Sequence, residues 1–326
     1  MKFRLTERQQ KTIARRQSAP PDLDTQPGTV ITHHGTEVVI ETQAGHWARA
    51  NPRRTLGALA PGDRIGWVEG EEGKPVVERV LPRHNALIRP DTHGKLKLMA
   101  ANLDQVLIVL APVPWMNPNV VENLLIATLD LPAEPLLVLN KIDLMTESSA
   151  TVAIEENLQL WQALGWRLLR VSARTGEGMA TLRAALDDKI SMMVGLSGVG
   201  KTSLARALTA QAAHAAIAEL STHNQEGQHT TRHSTLFRLD SLPGGLIDAP
   251  GVRDFSLNSP DAKAIDRAFP DIMEYAQACR FANCSHNAEP GCAVRAAATD
   301  GQLDARRFAH YQTLRAAARQ PEKHKS

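Results

Sequence analysis

The chain has 326 residues, 43% of them hydrophobic, and a formal net charge of +2. That length fits two or three domains, and the apolar share excludes a globally disordered chain. The charge balance on its own selects no partner. The longest apolar stretch, around Val106–Pro114, falls far short of the roughly 20 residues that span a bilayer, and no apolar signal core opens the chain. A cytoplasmic protein with no membrane partner is therefore expected.

In chain order, the first sixteen residues carry Lys2, Arg4, Arg8, Lys11, Arg15 and Arg16 against Glu7 alone. Residues 1–27 read as a flexible basic tail, either an arm that meets phosphate or an ordinary solvated end. Residues 28–83 carry short β-rich runs, Thr29–Thr32, Glu37–Glu41 and Arg64–Val68, broken at Gly35, Pro61-Gly62-Asp63 and Gly70–Gly73. This predicts a small N-terminal β-barrel of OB type, with an SH3-like barrel left open. Arg53, Arg54, Arg64, Arg83 and Arg89 either track RNA phosphates or form a solvated basic face. Trp47 and Trp67 are assigned to core packing before base stacking.

Residues 84–258 change to an α/β texture. Asp104–Leu110 is a near-continuous apolar run, as a buried parallel strand requires. Helical Val120–Leu129, strand Glu134–Leu139, helix Thr151–Leu164, strand Trp166–Val171, helix Met179–Ile190, strand Ser191–Val194 and helix Ser203–Ala213 follow. The alternation predicts a doubly wound sheet. Residues 259–326 read as a helical domain with a Cys/His cluster and a closing helix over Arg306–Arg319.

Gly195-Leu196-Ser197-Gly198-Val199-Gly200-Lys201-Thr202, running into Ser203, fits G-x-x-x-x-G-K-[ST] between a strand and a helix. Such a loop turns backbone N–H groups onto phosphate; Lys201 is expected on the β/γ-phosphates and Thr202 on Mg²⁺. Asn140-Lys141-Ile142-Asp143 closes a buried strand and matches N-K-x-D. The Asp143 carboxylate can accept from guanine N1–H and the N2 amino group, donors that adenine lacks. Ser172-Ala173-Arg174, one β-α unit on, matches the motif whose amide meets guanine O6. Asp248-Ala249-Pro250-Gly251 matches D-x-x-G, with Asp248 expected near Mg²⁺ and the Gly251 N–H at the γ-phosphate. Gly227–Thr231 lies between; Thr231, with Thr230 kept as the alternative, is expected to complete the Mg²⁺ shell and, with Lys201, to act in catalysis.

The motifs occur in the order N-K-I-D, S-A-R, P-loop, T-T, D-A-P-G. Ordinary GTPases start with the P-loop, so this is a circularly permuted P-loop GTPase domain. Spatial neighbours in a sheet, not chain order, build the site. An ATPase or kinase, or a nucleotide-switched RNA-binding module with little turnover, remains as the alternative.

Pro82–Asn85, Arg89-Pro90, Ala100–Gln105, the permuted order, Gly227–Thr231 and the terminal cluster together resemble the RsgA (YjeQ) family of permuted GTPases. The resemblance implies an OB domain, a permuted GTPase and a zinc domain. It further implies a ribosome-stimulated hydrolysis of GTP to GDP, acting late in maturation of the 30S subunit and binding 16S rRNA; a monomer is expected. Departures are Thr202 where Ser is usual, Gln228 for Arg and Ala249 for Thr. Val252 follows D-x-x-G where many GTPases have a water-orienting Gln, so His229 is the hypothetical catalytic orienter, against a solvent-facing histidine. Cys279-x4-Cys284-x-His286-x5-Cys292 offers a Cys₃His set for one structural Zn²⁺.

Overall fold

The computed structural model describes residues 24–90, 96–209, 234–240, 242–248 and 261–319. The basic tail before residue 24 and the segment holding Gln228, His229, Thr230 and Thr231 lie outside the described residues, as do Ala249, Gly251 and Val252. Among the described residues no helix is long and apolar enough to cross a membrane.

The N-terminal strands are β1 (Gln26–His34), β2 (Glu37–Thr42), β3 (Trp47–Pro52), β4 (Arg64–Glu69) and β5 (Pro75–Val80). β1 pairs with both β2 and β4, and the run β1-β2-β3-β5-β4 closes into a barrel. The OB-like expectation is met. Val30, Val38, Ile40, Ala50, Ile65, Trp67 and Val77 fill it. Trp67 is therefore core, while Trp47 is half-buried and donates to Glu41 Oε1 at 3.1 Å. Arg83 is not a free phosphate contact: Nε and Nη2 grip the buried Asp63 carboxylate at 2.5 and 2.7 Å.

A hairpin, β6 (Ala86–Pro90) with β7 (Leu96–Ala101), leads out of the barrel. The Asn85 side chain donates to Leu103 O at 2.7 Å and accepts from Leu103 N at 2.8 Å, while Asn102 Nδ2 donates to Gly62 O at 2.9 Å. Gly62 has φ +89, and a Cβ there would sit 2.2 Å from Ala101 O, so no side chain fits between barrel and linker.

The α/β part contains β8 (Gln105–Leu110), α1 (Pro118–Asp130), β9 (Glu134–Leu139), α2 (Ser149–Ala163), β10 (Leu168–Arg170), α3 (Met179–Leu186), β11 (Ile190–Val194), α4 (Lys201–Leu208), β12 (Thr235–Arg238) and β13 (Gly245–Asp248). β10, β9, β8, β11 and β13 are parallel neighbours in that order, and β12 adds antiparallel. β8 shows why its sequence is apolar throughout. Val106, Ile108 and Leu110 face the core under α1 and α2, and Leu107 and Val109 face the core under α3 and α4. Asn117 caps α1 by accepting from Asn119 N, with Pro118 in the first turn, and Ser148 caps α2.

Two helix boundaries differ from the sequence reading. α3 stops at Leu186 because Asp187 is extended and Asp188 is left-handed at φ 52, so Ile190 begins β11 instead of ending a helix. α4 starts at Lys201 and stops at Leu208, where Thr209 turns extended at ψ 144 and bridges Leu239.

The barrel and the α/β sheet are one hydrogen-bonded surface of 11 strands. β1 meets β12 at Thr32↔Thr235, Thr32 Oγ1 donates to Ser234 O at 3.0 Å, and Arg238 Nε donates to Glu41 Oε2 at 2.7 Å. Strand alternation serves both sides. Val30 and Val38 point into the barrel, while Ile31 and Val39 join the core of the α/β unit.

The C-terminal helices are α5 (Ala262–Ala268), α6 (Pro270–Ala276), α7 (Ala293–Thr299) and α8 (Ala305–Arg319). They dock on α1: Ile126 enters their core beside Ile265, Phe269 and Tyr311. The joint is ionic as well. Arg307 is 0% exposed, and donates to Glu122 Oε1 at 2.7 Å and to Asp271 Oδ1 at 2.8 Å. Its guanidinium also lies 4.7 Å over the Phe269 ring. Burial pushes the Glu122 carboxyl up, and Arg307 and Arg306 pull it back down. Arg307→Ala would leave Glu122 charged, buried and short of its main partner, which costs about 3–5 kcal/mol. The expected result is a clear fall in thermal midpoint, partly recovered in Glu122→Leu/Arg307→Met. An unchanged midpoint in the single variant would show that the joint contributes nothing.

Candidate nucleotide and metal sites

The carboxyl ends of β8, β9, β10, β11 and β13 share one edge, set by the registers Leu110↔Leu139, Leu139↔Arg170, Val194↔Ile108 and Ile247↔Met192. In an open α/β sheet that edge is where ligands bind. The three motifs ending on it, far apart in sequence, are tied by one side chain. Asn140 is 1% exposed. Its Nδ2 donates to Val199 O of the Gly-rich loop at 3.0 Å, and its Oδ1 accepts from Ala173 N at 3.1 Å. The Ala173 amide thus locks the turn after β10 to β9.

The Gly-rich loop has a matching shape. A Cβ on Gly200, at φ +96, would come 2.3 Å from Asn140 Nδ2, so the loop seats on the amide only with glycine there. Val199 and Leu204 are buried and anchor the loop and α4. Gly195, Leu196, Ser197 and Gly198 form the turn, and Thr202 and Ser203 are exposed in the first turn of α4. Lys201 Nζ donates to Gly195 O at 2.7 Å and to Leu196 O at 2.6 Å. Lys141, left-handed at φ 62, reaches across the loop and donates to Val113 O at 3.1 Å and to Gly198 O. This bracing role for Lys141, and the loop after β8 that receives it, had no signal in the sequence. Asp248 ends β13, exposed, beside the strand that carries the Gly-rich loop. The edge therefore gathers a phosphate-sized cradle, a hydroxyl and a carboxylate of the kinds that ligate Mg²⁺, and a carboxylate of the kind that can accept from a guanine base.

Asp143 forms that last corner. Ser172 Oγ donates to its Oδ1 at 2.5 Å, and Arg174 Nε donates to its Oδ2 at 2.9 Å. The Ser172 hydroxyl first, and Arg174 after it, hold the Asp143 carboxyl below the usual range. It is an acceptor at neutral pH, as guanine N1–H and N2–H require. Ser172 is itself fixed, accepting from Thr175 N at 3.1 Å.

A sequence model described as the RsgA GTPase family matches residues 80–258. The small ribosomal subunit biogenesis GTPase RsgA of Azotobacter vinelandii is 40% identical over 303 residues, covering 91% of this chain and 87% of that one. The protein of the same name from Shewanella oneidensis is 39% identical, covering 89% and 82% of the two chains. This chain belongs to the RsgA GTPase family. Solved structures agree. YjeQ from Thermotoga maritima superposes with a TM-score of 0.71 at 27% identity, covering 91% of this chain and 99% of that one. YloQ, described as a circularly permuted GTPase, matches in fold with a TM-score of 0.71 at 22% identity, over 93% and 99% of the chains. As a member of the family, the chain is a GTP hydrolase, and its nucleotides are GTP and GDP with Mg²⁺.

The RsgA-type C-terminal unit carries the second site. The ligand atoms of Cys279, Cys284, His286 and Cys292 all lie within 4.8 Å of one another. Cys279 Sγ is 3.9 Å from Cys292 Sγ and 3.6 Å from His286 Nδ1, and Cys292 Sγ is 3.5 Å from His286 Nδ1. The edges of a tetrahedron around Zn²⁺ with N and S ligands are about 3.5–3.8 Å, so Cys279, His286 and Cys292 stand at about that spacing and Cys284 is near enough to complete a set that can hold the ion. A disulfide would need about 2.05 Å, and all three thiols are free. Local structure is bent to this end. His286 is left-handed at φ 59, and Glu289 accepts from the amides of Ser285, Asn287 and Ala288. The Ser285 hydroxyl first, and backbone amides including those of Ser285 and Asn287 after it, hold its carboxyl down at about 2. Gln312 of α8 donates to His286 O at 2.8 Å, and Cys292 Sγ caps α7. Four protein ligands would leave no open position on a bound ion, as in a structural site.

Proposed function

We propose that this GTPase acts in biogenesis of the small ribosomal subunit, binding 16S rRNA as a cytoplasmic monomer and releasing when GTP is hydrolysed. The observation that carries the reading is the 40% identity, over 91% of the chain, to a relative bearing that role in its name. In this reading residues 1–27 are a basic arm, 28–83 an RNA-facing barrel, 84–258 the GTPase and 259–326 a zinc-stabilised domain. Asn140, Lys141, Asp143, Ser172 and Ala173 form the guanine corner. Lys201 meets the β/γ-phosphates, and Thr202, Thr231 (or Thr230) and Asp248 hold Mg²⁺, with the Gly251 amide at the γ-phosphate. Cys279, Cys284, His286 and Cys292 hold zinc. His229 orients the attacking water when the subunit is bound.

The decisive measurement is phosphate release from GTP with purified 30S, 50S or no subunits. Stimulation by 30S alone is expected; equal rates in all three would remove the reading. In the same assay His229→Ala should reduce the 30S-stimulated rate by about 10²-fold or more, in the range of a lost transition-state group, while leaving GTP binding intact. A near-normal stimulated rate would return His229 to a surface role.

A further inference from the structure

The guanine corner holds one contact that base recognition does not require. The open side of Asp143 is occupied by Arg174, whose Nε and Nη2 lie 2.9 and 2.8 Å from Oδ2. Ser172 already holds Oδ1. The Arg174 side chain is 75% exposed and that of Asp143 only 11%, so the guanidinium covers the carboxylate from the solvent side, where an incoming base has to arrive.

The chemistry of the occupant matters. The N1–C2–N2 portion of guanine is itself a guanidine unit, and it presents two roughly parallel N–H donors to a carboxylate. The Nε–H and Nη–H edge of arginine presents the same fork. A carboxylate oxygen has two lone-pair directions, and two nitrogens of Arg174 crowd Oδ2. Guanine cannot dock its N2 amino group on Oδ2 until at least one of those donors leaves. The backbone at Arg174 is held independently of its side chain, through Ala173 N on Asn140 and Thr175 N on Ser172. The long side chain can therefore swing out while the turn stays in place.

We propose that Arg174 is an internal stand-in for guanine, a latch that competes for Asp143 and so sets how fast and how tightly guanine nucleotides enter. The proposal depends on Asp143 being the guanine-reading group. Because the Arg174 end of the pair is 75% exposed and screened by solvent, its closed form outweighs the open form by a factor of only about five, and apparent affinity falls by that fraction. The latch therefore tunes the site without shutting it. It also acts on guanine alone, since it blocks the carboxylate and not the phosphate cradle.

The test is titration and stopped-flow mixing of the full chain with fluorescent GDP at low and high salt, comparing the parent with Arg174→Ala, Arg174→Lys and Asp143→Asn. Arg174→Ala should bind GDP about two- to fivefold tighter, through faster association with an unchanged dissociation rate. The gain should shrink at high salt, where the parent's ion pair is screened. Arg174→Lys, which keeps the charge and loses the fork, should fall between. Unchanged binding in Arg174→Ala, or weaker binding through faster dissociation, would overturn the latch; the latter would make Arg174 a support for the bound base. If Asp143→Asn loses GDP while Arg174→Ala changes nothing, the latch fails and the guanine corner stands. If Asp143→Asn binds GDP like the parent, the guanine corner fails and the latch with it.

Discussion

Asp143→Asn is expected to lower GDP affinity by on the order of a hundredfold and to admit xanthine nucleotides in exchange. The carboxylate has acceptors on both oxygens, and it is kept ionised by Ser172 and Arg174. An asparagine offers one acceptor and one NH₂ donor. The donor would face the guanine N2 amino group, donor against donor, and leave both short of partners at about 1–3 kcal/mol each. Xanthine has a carbonyl at C2 and meets the amide donor correctly. The rest of the corner should stay in place, because Asn140 holds the Gly-rich loop and the turn after β10 independently of Asp143. Competition of GDP, XDP and ADP for the parent and the variant measures this. If the variant keeps the parent's margin of GDP over XDP, guanine is read by another group.

Removing the metal from the C-terminal unit is the second large effect expected. The stretch between α6 and α7 contains no regular element, and its turns converge on Cys279, Cys284, His286 and Cys292. Burial pushes the Cys284 thiol up to about 11, so that ligand in particular needs a cation beside it to stand as a thiolate. Structural zinc supplies on the order of 10 kcal/mol at neutral pH, more than a helical unit of this size earns from packing alone. Purified protein should therefore carry one zinc per chain. Cys292→Ser, or a strong chelator, should release it and melt α7 together with the turns before it. α8 should persist longer, because Arg307 pins it to Glu122 of α1. Metal analysis with circular dichroism and a thermal scan reads both parts: zinc loss, and a new low-temperature transition ahead of the main one. Full zinc occupancy in Cys292→Ser with a single parental transition would exclude these four residues as the ion's site.

The nucleotide corner was legible in the sequence because each motif is a short local solution to a local problem, and permutation leaves those solutions whole. The zinc set was legible for the same reason, with all its ligands inside one short run. β8 announced itself because burial on both faces demands an unbroken apolar string. β3 and β5 did not. Trp47–Pro52 mixes Ala, Arg and Asn with half-buried positions, and its parallel partner lies beyond a loop. β12 is only four residues long and owes its existence to pairing with β13 and β1. Arg174 sat in plain view within its motif, but its grip on Asp143 depends on a neighbouring strand end that sequence does not place. The same holds for Arg307, read as part of a polar closing helix and found fully buried between Glu122 and Asp271.

The seam at Thr32 and Thr235 limits how this chain can be cut. A fragment starting after the barrel would strip β12 of its neighbour and present its backbone as a bare edge, next to the uncovered Ile247 and Leu236 of the core that Ile31 and Val39 normally shield. Bare edges flanked by apolar surface recruit other chains. A GTPase fragment without its barrel is for that reason a precursor of aggregates, and shortened forms for crystallography or screening would do better to keep the first two strands.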